Sequence, residues 1–193
     1  MPRLSSGDGK GIGVERHWLW THPANPSAAV DGIDFLFERR SATQLRFRFE
    51  VHGRIGDIIL PGPAAPLRTD GLWEGTCFEV FIRPAEFSDY RELNFSPSTQ
   101  WAAYAFSAHR KGMTQAPLPA PPEIDVTTGP DRLTMDVSLS LDLPDEPYLM
   151  AAAAVIEEPS GRKSLWALAH EGAVPDFHHP ACFTLELPAA GPA

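Results

Sequence analysis

Leu45-Arg46-Phe47-Arg48-Phe49-Glu50-Val51 alternates apolar and charged side chains without a break. Successive side chains of a strand point to opposite faces, so Leu45, Phe47, Phe49 and Val51 share a buried face while Arg46, Arg48 and Glu50 meet water. Leu133, Met135, Val137 and Leu139 repeat the pattern, with Thr134, Asp136, Ser138 and Ser140 outside. Further strand-like runs are His17–Thr21, Ile33–Glu38, Thr76–Ile82, Tyr90–Phe95, Trp101–Phe106, Ile124–Thr127, Tyr148–Ile156, Ser164–His170 and Phe183–Leu187. Turn-formers separate them: Pro61-Gly62-Pro63, Arg68-Thr69-Asp70-Gly71, Phe95-Ser96-Pro97, Gly129-Pro130-Asp131 and Pro159-Ser160-Gly161. Many short strands at this spacing predict an all-β fold, an antiparallel β-sandwich of the jelly-roll or immunoglobulin-like kind, with about ten strands and proline-rich loops.

Helix signals are thin. Ala151–Ala154 has helical propensity, but it lies between Pro147 and Pro159 inside an apolar run and reads as a buried strand whose small side chains let something large pack close. The chain of 193 residues carries 20 prolines, about twice the number expected at average usage, and proline is expelled from helix interiors and central strands. Gln115–Pro122 reads as a polyproline-like loop within one domain, since strand patterns continue on both sides. The expected organisation is a single domain over 15–187 with loose tails at 1–14 and 188–193.

Lys+Arg 16 against Asp+Glu 25 gives a formal net charge of -9, with only three lysines, so phosphate backbones and anionic membranes are unexpected partners. The amino terminus lacks the apolar stretch of a secretory signal, and no apolar span approaches a membrane helix, so a cytoplasmic location is expected. Cys77 and Cys182, each followed by Phe, read as reduced core thiols.

Motifs that carry chemistry are few. Gly7-Asp8-Gly9-Lys10-Gly11-Ile12-Gly13 has neither the register nor the preceding strand of a phosphate loop. No nucleophile elbow surrounds Ser96, Ser98 or Ser160. In Thr76–Ile82 both faces are largely apolar, which makes the strand central and leaves Glu79 as a buried carboxylate needing either an arginine partner or a polar cavity. The next strand groups Tyr90, Glu92 and Asn94 on one face, and Trp101–Phe106 adds a Trp and several alanines. Such a face is either an ordinary solvated sheet face or a surface suited to a sugar, with aromatic plates against C–H groups and fixed acceptors and donors for hydroxyls. His170, Asp176, His178 and His179 form a second cluster that could ligate a metal or supply a general base, or could line a rigid turn.

The segments RTDGLWEGTCFEVFIRP, YRELNFSPSTQWAAYAF and SLWALAHEGAVPDFHHPACFTLEL, spread over about residues 15 to 187, resemble the bacterial DOMON-like proteins, relatives of the type 9 carbohydrate-binding modules and, more distantly, of haem-binding DOMON cytochromes. The resemblance implies a β-sandwich that binds a sugar or haem rather than catalysing a reaction. It implies that Trp73 stands at the mouth of the site and that Glu79, six residues later, hydrogen-bonds sugar hydroxyls. Glu92 and Asn94 follow as further polar ligands, and Trp101, Trp166 or the Asp176–His179 loop as the second aromatic plate. An arginine expected near them is represented only by Arg91, on the opposite face by alternation. The expected ligand groove therefore consists of Trp73, Glu79, Glu92, Asn94, Trp101 and Trp166, with no cofactor. Haem and a metal-dependent enzyme built on His170, Asp176, His178 and His179 are the alternatives; Met113, Met135 and Met150 stand in no pattern that pairs one with a histidine.

Overall fold

A computed structural model describes residues 15–144 and 146–187, so the two expected tails lie outside the described residues. The alternating segments all become strands. They are β1 (Arg16–Thr21), β2 (Val30–Arg39), β3 (Gln44–Gly53), β4 (Cys77–Pro84), β5 (Tyr90–Phe95), β6 (Trp101–Phe106), β7 (Thr114–Gln115), β8 (Glu123–Thr128), β9 (Arg132–Ser140), β10 (Tyr148–Glu157), β11 (Lys163–Ala167) and β12 (Leu185–Leu187). Every pairing between them is antiparallel. The expected sandwich is therefore the observed fold, with twelve strands among the described residues.

One sheet runs β8-β9-β3-β2-β1 and the other β7-β6-β5-β4-β10-β11-β1. β1 belongs to both: Arg16 to Leu19 pair with β2, while Trp20 and Thr21 pair with β11. Between the sheets lies the main core. Phe47 meets Phe95 at a ring-centroid distance of 6.3 Å and Phe49 meets Phe78 at 4.9 Å, each pair joining one sheet to the other. The first sheet turns its charged positions outward, as the alternation of β3 requires.

Ala151–Ala154 is a strand segment, buried on both faces. Ala152 and Ala154 enter the main core, while Ala151 and Ala153 join a second, smaller core on the outer side of the second sheet. Phe81, Tyr90, Phe106 and Phe183 build that second core. The 168–184 connection carries Phe177 and Phe183 onto it, and the loop before β4 contributes Leu72. The Gln115–Pro122 segment carries the chain from β7, at the edge of the second sheet, to β8, at the edge of the first. Its prolines serve as a crossover between sheets.

Candidate functional site

Register decides which side chains reach the outer side of the second sheet. On β4, Phe78, Val80 and Ile82 enter the main core, so Glu79 and Phe81 point the other way; on β5, Leu93 and Phe95 enter it, so Glu92 and Asn94 point outward. Glu79 stands opposite Asn94, and Phe81 opposite Glu92, which makes the two glutamates diagonal neighbours. Small residues flank them, Ala153 opposite Glu79 on β10 and Ala102 opposite Asn94 on β6. A cavity of about 480 Å³ opens over this floor. Glu79 and Glu92 line it from below, and Trp73, Arg110, Phe177 and His178 border it from loops.

The loop residues are fastened to one another. Asp176 accepts hydrogen bonds from Arg110 Nε and Nη2 at 2.9 and 2.7 Å, stands 2.7 Å from His109 Nε2, and accepts the His178 backbone N–H at 3.1 Å. Burial opposes ionisation of Asp176, but the Arg110 and His109 contacts outweigh it and hold its carboxyl below the usual range. Arg110 adopts a positive φ of 53°, and its backbone N–H donates to the Tyr90 hydroxyl at 3.2 Å. That hydroxyl lies 2.7 Å from His178 Nδ1. His178 Nε2 faces Glu92 Oε2 at 3.7 Å. Burial, reinforced by the Arg110 charge, lowers the His178 pKa to about 4, so its ring is neutral at physiological pH.

The floor is the reverse case. Glu79 is 4% exposed and makes no hydrogen bond or ion pair with the described residues. Burial first, and the neighbouring Glu92 second, raise its pKa well above the ordinary glutamate value, and the Arg110 charge offsets only part of that rise. Burial also raises that of Glu92, partly offset by the hydrogen bond that Asn94 Nδ2 donates to its Oε1 at 2.8 Å. At the mouth, Trp73 sits on a 3₁₀ turn (Leu72–Glu74), 39% exposed, with its ring edge-to-face on Tyr104 at 5.8 Å. The Tyr104 hydroxyl bonds Asp70, and the Arg68 guanidinium covers its ring at 5.3 Å.

Of the expected groove, Trp73, Glu79 and Glu92 come together at the cavity. Asn94 is fully buried and braces Glu92 from below rather than lining the space. Trp101 and Trp166 are corrections: both face the main core between the sheets. Trp101 pairs with Phe95, an inward position of β5, and Trp166 with Ala154, an inward position of β10, so register turns both indoles away from the cavity. Trp166 Nε1 bonds Ser164 Oγ at 2.9 Å, and the Trp101 backbone bonds Thr69 and Leu67, steadying the loop that leads to Trp73. Arg91 lies off the cavity and donates to the Asp142 carbonyl.

The four-residue His/Asp cluster disperses. His178 borders the cavity, Asp176 anchors its loop, His179 accepts the Ala181 N–H as the cap of a short 3₁₀ turn, and His170 lies 2.7 Å from the Trp20 carbonyl. Cys77 and Cys182 are free buried thiols, with burial pushing Cys77 well up and Cys182 to about 11. Arg110, the one guanidinium at the cavity among the described residues, escapes a reading by alternation because it sits in a turn; its signal in the sequence is the basic His109-Arg110-Lys111 triplet closing β6.

No protein-family model matches the chain, and no curated protein matches it in sequence. Solved structures share its fold. A candidate carbohydrate-binding protein from Bacteroides uniformis ATCC 8492 superposes with a TM-score of 0.67 at 13% identity, covering 90% of this chain and 85% of that one. A family 9 carbohydrate-binding module from Caldicellulosiruptor kristjanssonii, determined with cellotriose, superposes with a TM-score of 0.57 at 12% identity, covering 100% of this chain and 92% of that one.

Proposed function

We propose that this chain is a non-catalytic binding domain for a sugar or sugar derivative, taken up in the cavity over β4 and β5. The observation that carries the reading is the pairing, in one space of about 480 Å³, of a buried carboxyl floor, in which Glu79 has no hydrogen-bond partner among the described residues, with an aromatic rim. Trp73 and Phe177 offer rigid apolar surface for sugar C–H groups, and Glu79 and Glu92 offer acceptors for hydroxyls. Phe177 takes the place expected of a second aromatic plate from the Asp176–His179 loop. Trp73 and Glu79 have the six-residue spacing that the resemblance to type 9 carbohydrate-binding modules implies for a mouth Trp and a strand carboxylate. The shared fold with a module solved on cellotriose points the same way.

Binding selectivity would come from burial of a sugar face against Trp73 and from the hydroxyl pattern that reaches Glu79 and Glu92. Calorimetric titration of a glycan panel tests the proposal: Trp73→Ala and Glu79→Gln should each weaken whatever the wild type binds. Unchanged affinity in both variants for every recognised glycan would sink it.

A further inference from the structure

We propose that the sugar this site takes carries a protonated amine, so that its preferred ligands are amino sugars rather than neutral ones; the inference rests on the sugar-binding reading above. Counting the charged groups around the floor leads there. Glu79 and Glu92 supply two buried carboxyl groups on adjacent strands. Cys77, next outward-facing residue on the Glu79 strand, is a neutral buried thiol. From the β6–β7 turn comes Arg110, whose guanidinium is already bound through two nitrogens to Asp176. From the β11–β12 loop comes His178, whose Nδ1 lies against the Tyr90 hydroxyl and whose ring is neutral. On β11, Lys163 is opposite Glu157 and donates to the Glu74 carbonyl. Arg110 acts on Glu79 only through its charge, and no cation among these groups bonds to it.

A neutral sugar can donate hydroxyl hydrogens to both carboxyl groups, but it brings no charge that would let both of them ionise. An ammonium group placed between diagonal carboxylates supplies three donors and the missing charge at once, in bonds roughly twice as strong as neutral ones. Acetylation of that nitrogen removes the charge and adds bulk. Burial and the closeness of the two groups favour a proton on the pair, which an incoming ammonium would displace into solvent.

The full-length chain is titrated calorimetrically with D-glucosamine, D-glucose, N-acetyl-D-glucosamine and cyclohexylamine, in two buffers of different ionisation enthalpy. The expected result is glucosamine binding at least about tenfold tighter than glucose and the N-acetyl sugar, the step a single charge-assisted contact gives. At a pH where the free amine is already fully protonated, binding should release protons, and Glu79→Gln should erase the preference. Equal affinity for glucose and glucosamine overturns the amine requirement while leaving a sugar site standing. Cyclohexylamine binding as tightly as glucosamine overturns it by making the hydroxyls irrelevant. Glucose binding that appears only with added calcium overturns it by assigning the counter-charge to a metal. Absence of binding by all three sugars removes the sugar reading itself.

Discussion

Both sheets carry carboxylates on their outer faces, and the two sets live under opposite rules. On the first sheet Asp136 is gripped by Arg48 through Nε and Nη2 at 2.9 and 2.8 Å and by Arg46 at 2.8 Å. Asp34 and Glu50 share Arg16, and His52 Nε2 lies 2.9 Å from Asp34. Asp34, Glu50 and His52 are the one group of metal-type ligand atoms that converges among the described residues, yet the Arg16 guanidinium bonds both carboxylates there. On the second sheet Glu79 and Glu92 have no such cation, because Arg110 is spent on Asp176. A partnered carboxylate explains itself structurally; an unpartnered buried one is kept at a cost to stability and calls for a ligand.

The comparison can be broken most directly at two tryptophans of equal exposure. Trp73 is 39% exposed at the cavity and Trp18 is 40% exposed on β1, its ring lying so close against Gly32 that a Cβ there would collide with it. Trp73→Ala should weaken sugar binding at least about thirtyfold, the ~2 kcal/mol of a hot-spot aromatic, whereas Trp18→Ala leaves it unchanged in the same calorimetric assay.

A stability pair sharpens it. Glu79 has a raised pKa, so its cost is absent in acid, where it is protonated folded and unfolded alike, and grows as pH rises past the ordinary glutamate value. Glu79→Gln should therefore gain about 1–2 kcal/mol in urea denaturation at mildly alkaline pH and nothing below about pH 4. Asp136 behaves with the opposite sign. Burial is outweighed by its hydrogen bonds from Arg48 and Arg46, its pKa is lowered, and its contribution is present above the usual carboxylate range and lost as pH falls. Asp136→Asn should lose about 1 kcal/mol or less at neutral pH, solvent screening keeping the figure small. A gain for Asp136→Asn or a loss for Glu79→Gln would erase the distinction between the faces.

The smallest expected effect is at His178. Its folded pKa of about 4 lies below the unfolded value of 6.5, so the unfolded chain takes up a proton that the folded one refuses, and stability falls as pH drops through that window. Thermal melts of His178→Gln should show a shallower decline there.

Period-two alternation locates nearly every strand, and where one face is charged, as in Arg46, Arg48 and Glu50, it also says which way the strand faces. It misses β7, whose two residues are too few to alternate, and it carries the last two runs past the end of β11 and ahead of the start of β12. For the second sheet it sorts residues into faces but cannot say which face meets the partner sheet, because both are apolar. Alternation alone therefore leaves Trp101 and Trp166 free to join the cavity, and only the cross-strand partners Phe95 and Ala154 reveal their true side. Glu79 and Glu92 are legible because a carboxylate in an apolar strand contradicts its surroundings. The contributions of Arg110 and Phe177 are not, since they sit in two loops that only the fold brings together, tied by the bond from Arg110 to Asp176.

The double membership of β1 sets an order of events in folding. Its first half meets β2, the next strand to leave the ribosome, but its last two residues must wait for β11, near the other end of the chain. Closing so distant a pairing is slow, and until it closes the second sheet ends on β11, whose outer backbone groups stay open to pairing with another chain.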